Sequence, residues 1–184
     1  QVLSDEDLAD EDTLKTAIRN FTRYVPPLEG EMIGESPFDA VVFAGDPAFA
    51  LRIAPVLAYY DIDPNIVKFI GTGAWDDEIF FNEPSLQNAI FPGVEYNKRD
   101  SLVSEYKAFY DEDLMRVSTL PYDLVGLLAY LINNKYRLKD FYNLVDNKKL
   151  KFDGVDGNFY FQNNLIEREL GILQINKGQA LQIN

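Results

Sequence analysis

Carboxylates are the most abundant groups in this chain that could do chemistry: Asp and Glu number 30 in 184 positions, while His and Cys are absent. A chain without His lacks the commonest general base and the commonest metal ligand, and one without Cys lacks a thiol nucleophile and any disulfide. The densest acidic runs are Asp76-Asp77 and Asp111-Glu112-Asp113. Adjacent side chains rarely converge on one point, and both runs fall where turns are expected. They read as solvated turn residues rather than as a general acid and its base. The serines have no His to deprotonate them, and no Gly-x-Ser-x-Gly elbow occurs. Asp153-Gly-Val-Asp156-Gly-Asn158 lacks the third acidic ligand and the distal Glu of a calcium loop, so hairpin turns explain it better. No catalytic residue, metal site or cofactor is expected.

One binding arrangement survives this elimination. Gly71-Thr72-Gly73 has no third Gly and no following Lys, which argues against a nucleotide phosphate loop. In an open α/β sheet, however, ligands sit outside the carboxyl ends of the strands. Gly45 and Asp46 occupy one such end, and Thr72, Gly73 and Trp75 another. Backbone N–H groups there would hold a small polar ligand with Trp75 as an apolar lid, and Tyr122, at a helix start, would project into the same mouth. The competing reading is that the glycines only make turns, while Trp75 and Tyr122 only pack.

The elements that would position these residues can be read from periodicity. Leu14, Ala17, Ile18 and Phe21 repeat at helical spacing, with Asp12 expected as the N-cap. The acid-rich segment before them reads as solvated, and 25–37, rich in Pro and Gly, as a long surface loop. Residues 38–44 and 67–72 are apolar runs of strand type. Asp46 and Pro47 open the helix between them as N-cap and first helical residue, and Pro55 is expected to kink or restart it. This strand–helix–strand spacing implies a parallel pair with a right-handed crossover. A third strand is expected at Ala89-Ile90-Phe91, ended by Pro92-Gly93. Helices are expected from about Lys98 to Tyr110, with Leu102, Tyr106, Phe109 and Tyr110 on one face, and from Pro121 to Asn134. The latter would be capped by Thr119, with Leu124, Leu127, Leu128 and Leu131 inward. A shorter helix carries Leu138, Phe141, Tyr142 and Val145. Asp153-Gly154, Asp156-Gly157 and Asn176-Lys177-Gly178 are turn chemistry between alternating apolar residues, so the chain closes with antiparallel hairpins. The fold class is α/β, a parallel sheet sandwiched by helices followed by hairpins, and 1–184 reads as one domain.

Composition narrows the partners. The 47 % hydrophobic and 14 % aromatic content suffices for a packed core. A net charge of −13 makes nucleic acid and anionic membrane surfaces poor partners, because both demand clustered Lys and Arg. No stretch approaches the roughly 20 apolar residues of a membrane span. Gln1 is not a natural start, so targeting is not legible and the chain reads as a fragment of a longer one.

Phe38-Asp-Ala-Val-Val-Phe-Ala, the Asp-Pro-opened helix ending in Leu57-Ala-Tyr-Tyr-Asp-Ile, and Val67-Lys-Phe-Ile-Gly-Thr-Gly-Ala-Trp-Asp-Asp together resemble the type I periplasmic binding fold. Asn82-Glu-Pro-Ser-Leu-Gln-Asn-Ala-Ile-Phe, Leu120-Pro-Tyr-Asp-Leu-Val, Phe152-Asp-Gly-Val-Asp-Gly-Asn-Phe-Tyr-Phe and Glu167-Arg-Glu-Leu continue the likeness in order. The branch resembled most is that of the penicillin-binding-protein activator lipoproteins and their amino-acid-binding relatives. The resemblance implies the C-terminal half of a two-lobed protein, mostly its second lobe. It implies a non-enzymatic periplasmic module, tethered to the outer membrane only by a lipid anchor outside this chain. Its partner would be a penicillin-binding protein, the cell-wall synthase whose activity it raises. The alternative is a solute receptor for an ABC permease that binds an amino acid or similar small polar ligand.

Overall fold

The computed structural model describes residues 3, 6, 10–27, 29, 36–94, 99–145, 150–163 and 165–183. Most of the acid-rich start, much of the expected loop at 25–37, and the expected helix start at Lys98 therefore lie outside the described residues. The sequence reads as one domain, yet the chain divides into two compact units, residues 1–93 with 172–184, and residues 94–171.

The first unit holds a five-stranded sheet in the order β1-β2-β3-β7-β8, flanked by helices. Strands β1 (Ala40–Val42) and β2 (Lys68–Ile70) pair in parallel, with Val41 opposite Phe69, and β2 continues in parallel to β3 (Ile90–Gly93). The expected βαβ unit is thus present. Its helix α2 (Pro47–Tyr59) starts where Asp46 Oδ1 accepts a hydrogen bond from the Ala48 N–H at 2.8 Å. Pro55 does not interrupt α2. Pro92 and Gly93 belong to β3 rather than ending it. The hairpin of β7 (Gly171–Asn176) and β8 (Gln179–Ile183) adds to the same sheet beside β3. Its turn residues Lys177 and Gly178 both have positive φ, +51° and +79°, as a type I′ turn requires.

Helix α1 (Glu11–Thr22) is capped by Asp10 rather than Asp12: Asp10 Oδ1 accepts from the N–H groups of both Asp12 and Thr13. Asp12 therefore lies in the first turn, where a carboxylate still suits the helix dipole. Leu14 and Ile18 are buried. Leu57, Phe69, Trp75, Leu86, Phe91, Leu173 and Ile175 are among the most deeply buried residues of this unit.

The second unit contains α4 (Asp100–Tyr110), α5 (Thr119–Asn133), α6 (Leu138–Val145) and an antiparallel sheet of β4 (Phe152–Gly154), β5 (Gly157–Gln162) and β6 (Leu165–Arg168). Phe152 faces Phe159, and Tyr160 faces Glu167. Leu127, Leu131 and Phe159 form its buried centre, with Phe141, Phe152 and Phe161 against it. Three sequence expectations fail here. Helix α4 buries none of its residues, and Phe109 and Tyr110 are exposed. Leu128 of α5 is exposed rather than inward. Thr119 is buried inside the first turn, its hydroxyl donating to the Arg116 carbonyl, so it is not the cap. A short helix α3 (Glu78–Phe81) in the first unit completes the elements named here.

Candidate functional site

The carboxyl ends of β1 and β2 open into the two loops singled out from sequence. Both strands are extended by one further ladder bond: the Phe43 N–H donates to the Ile70 carbonyl, and the Gly71 N–H donates to the Ile90 carbonyl, each at 2.8 Å. Gly45 and Asp46 follow at one strand end, and Thr72 and Gly73 at the next. Gly45, Asp46 and Gly73 are exposed, and Thr72 is half-buried. Parallel register therefore brings these four residues to one edge of the sheet. A β-carbon at Gly73 would lie 3.3 Å from the Pro92 carbonyl oxygen, which sets this loop against the end of β3 as well.

The chemistry of this edge is acidic. Asp46 already satisfies one of the orphan N–H groups at the start of α2 with its own carboxylate. An incoming anion would have to compete with that carboxylate for the helix N-terminus, whereas a cationic group would be attracted to it. Thr72 caps the short 3₁₀ turn Gly73–Trp75, its hydroxyl oxygen accepting from the Ala74 N–H. Asp77 caps α3 in the same way through the Ile79 N–H. The Asp76-Asp77 run is thus turn and cap chemistry.

Trp75 is not positioned as a lid. Its side chain is 1 % exposed, stacked on Phe80 at 5.7 Å between ring centroids and 5.4 Å from the ring of Phe43. A β-carbon at Gly71 would come within 2.1 Å of the indole, so Gly71 is where the ring passes across the backbone. The packing alternative describes Trp75, and the reason is local: the turn at Gly73 reverses the chain and returns the ring beneath the strand it has just left.

Tyr122 lies on α5 and belongs to the second unit, whereas Gly45, Asp46, Thr72, Gly73 and Trp75 belong to the first. It lines a cavity of about 490 Å³ with Gly126, Tyr130, Tyr136, Lys151 and Phe152 among its walls. The larger cavity of the first unit, about 1030 Å³, is lined by Phe38, Asp39, Asn65, Val67, Ser85 and Gln87 among others, residues that precede β1, β2 and β3. It sits at the amino ends of the strands, opposite the predicted mouth, and takes in none of Gly45, Asp46, Thr72, Gly73 or Trp75.

A buried charge cluster in the second unit was not apparent from the sequence. Asp123 is the one charged residue in α5, and its carboxylate accepts from the Val155 N–H at 2.8 Å and the Asp156 N–H at 3.4 Å. Arg168 Nη1 donates to Asp123 Oδ2 at 2.9 Å and to the Asp156 carbonyl at 2.8 Å. Arg116 Nη1 stands 2.6 Å from Asp156 Oδ1. The guanidinium of Arg168 also lies 5.2 Å over the Phe159 ring. The cluster ties the start of α5 to the β4–β5 turn and to β6. Asp123 faces a guanidinium and two backbone donors, and Asp156 faces the guanidinium groups of Arg116 and Arg168, an arrangement that holds charge in place rather than passing protons. The sequence carried one signal for it, an acid embedded in an otherwise apolar helix.

No protein-family model matches the chain, and neither does the sequence of any curated protein. Solved structures do. A branched-chain amino acid ABC transporter protein from Rhodospirillum rubrum superposes with a TM-score of 0.65 at 17 % identity, over 79 % of this chain and 44 % of its own. The C-domain of LpoA from Haemophilus influenzae, a regulator of PBP1A, gives a TM-score of 0.57 at 13 % identity, over 92 % of this chain and 49 % of its own. The leucine-binding protein LivK from Thermotoga maritima gives 0.57 at 14 % identity, over 79 % and 44 %. The chain spans less than half the length of each of these proteins. The fold is that of the type I periplasmic binding proteins.

Proposed function

We propose that this chain is a non-enzymatic periplasmic module that carries mostly the second lobe of its fold and regulates a penicillin-binding protein by direct contact. The observation that carries this reading is the likeness to LpoA, whose C-domain follows 92 % of the chain and whose full-length structures follow 78–79 %, the share that the amino-acid binders also follow. Attachment to the outer membrane, in this reading, comes from a lipid anchor outside these residues. The test is to add the purified chain to PBP1A and follow glycan polymerisation and peptide cross-linking. Stimulation that saturates with chain concentration supports the reading; unchanged rates with no complex at about 100 µM chain reject it.

A second reading is favoured by one specific observation, the convergence of Gly45, Asp46, Thr72 and Gly73 on one sheet edge. It makes the chain part of a solute receptor for an ABC permease, with Asp46 attracting the amino group of an amino acid. Calorimetric titration with the amino acids separates the two readings.

A further inference from the structure

The sheet of the first unit ends in an outer strand that carries none of the usual guards. Strand β8 reads Gln-Ala-Leu-Gln-Ile, without charge, proline or bulge. Natural proteins blunt an outer strand with one or more of those devices, because its outward backbone groups can pair with another extended chain. The register says which groups those are. Asn176 and Gln179 flank the two-residue turn and so exchange hydrogen bonds. Alternation then turns the backbone groups of Gln179, Leu181 and Ile183 toward β7, and those of Ala180 and Gln182 away from it. Strand β7 confirms the parity. Ile175, opposite Ala180, bonds on its other side: its N–H donates to the Ala89 carbonyl at 2.9 Å, and its carbonyl accepts from the Asn88 N–H at 2.8 Å. Among the described residues, no hydrogen-bond partner reaches the outward N–H and C=O groups of Ala180 and Gln182.

We propose that β8 docks an extended, basic segment of a partner protein as a sixth strand of the sheet. The proposal rests on the reading of the chain as a contact regulator, and the segment then belongs to the synthase. Outward N–H and C=O groups repeating along a strand are matched by another extended backbone, the mode of recognition by strand addition. Charge chooses among the strands that could do this. The first unit carries 17 of the 30 acidic but only 6 of the 17 basic residues, a net of −11. The imbalance reaches the strand itself. Helix α3 packs beside β8, and Asp77 and Glu78 at its start are exposed. Phe81 of α3 stacks on Phe91, which shares its face of the sheet with Leu173 and Gln182, while Leu181 points to the other face. A second copy of β8 pairing antiparallel about a two-fold axis would bring its own α3 to the same face, so like charges would meet. A strand with Lys or Arg toward α3 and apolar residues toward Leu181, itself 48 % exposed, meets complementary groups on both faces.

The test is amide-resolved hydrogen exchange of the whole chain, alone and with PBP1A in excess. In the complex the Ala180 and Gln182 amides exchange about tenfold more slowly or better, the scale of one backbone hydrogen bond. The Val42 amide of β1, at the opposite edge of the sheet, does not change. Gln182→Pro removes an outward N–H without touching the bonds to β7, and it weakens the PBP1A complex about tenfold. Trp75 emission checks that this variant folds. Glu78→Gln weakens the complex about two- to fivefold, and added salt weakens that of the wild type. Protection of Ala180 and Gln182 in the chain alone overturns the proposal; where it grows with chain concentration, the occupant is a second copy. So does a Gln182→Pro chain that folds and binds as wild type, or a complex that neither Glu78→Gln nor salt weakens. Stimulation of PBP1A without protection at β8 rejects the strand and leaves the regulatory reading standing, whereas no complex at about 100 µM chain rejects both.

Discussion

Arg168 and Asp123, 45 residues apart in sequence, meet at 2.9 Å with side chains 12 % and 2 % exposed. The pair anchors the start of α5 to β6, and the carboxylate reaches on to the backbone of the β4–β5 turn. Removing Arg168 leaves the Asp123 carboxylate buried without a cation, and removing Asp123 leaves Arg168 only the longer contact to Asp156 Oδ2 at 3.7 Å, changes of the kind that cost about 3–5 kcal/mol. Asp123→Ala should lower the urea midpoint of the second unit by that measure. Asp123→Leu combined with Arg168→Met should recover part of the loss, because the two facing charges go together and Asp156 keeps Arg116 as its partner.

Gly154 is bound to the same cluster by space rather than by conformation. A β-carbon there would lie 2.4 Å from Asp123 Oδ2, so Gly154→Ala must push the carboxylate off the Val155 N–H. The expected cost is about 1–3 kcal/mol, read as a fall in thermal midpoint. In an Asp123→Ala background the same substitution should be nearly silent, since the group it strikes is gone.

Trp75 is the only tryptophan, which makes it a clean reporter of the first unit. Its burial against Phe80 and Gly71 predicts blue-shifted emission in the native state. Gly71→Ala should red-shift that emission and destabilise the unit by about 1–3 kcal/mol, because the indole has to leave its place across the backbone.

The Lys151–Glu169 hydrogen bond gives stability a pH dependence with two limbs. The bond to Lys151, with a second from Asn158, holds the Glu169 carboxyl below its ordinary value, while the bond to Glu169 raises the Lys151 ammonium above its own. The Glu169 contribution is present above the ordinary carboxylate value of 4.5 and is lost as pH falls through the depressed one. The Lys151 contribution is present below its ordinary 10.5 and is lost as pH rises through the raised one. Both groups are solvent-exposed, so salt weakens both limbs. Urea midpoints of Glu169→Gln across pH should be flatter than wild type at both ends.

How much of this was legible in sequence depends on the range of the interaction. Asp46-Pro47 and the apolar runs around it act within a few residues, and they gave the parallel βαβ unit with the sheet edge where Gly45, Asp46, Thr72 and Gly73 meet. Asn176-Lys177-Gly178 likewise announced its hairpin. The cap of α1 slipped from Asp12 to Asp10 because neighbouring acids offer equivalent caps, and only backbone φ decides between them. Trp75 suits a lid or a core equally well by composition; the close approach to Gly71 that settles it depends on how the turn closes. The Asp123–Arg168 pair and the exposure of Leu128 depend on contacts tens of residues away, which periodicity does not report. Tyr122 was assigned by helix position alone, and it lies in the other unit.

The most direct measurement for the central claim is the rate of glycan polymerisation and cross-linking by PBP1A with increasing amounts of the chain, paired with calorimetry of the chain against amino acids. A saturable rise in synthase rate without any amino-acid heat is the result expected of a contact regulator. Amino-acid binding that Asp46→Asn weakens while its cap on α2 is kept, together with synthase rates that do not change, would contradict it.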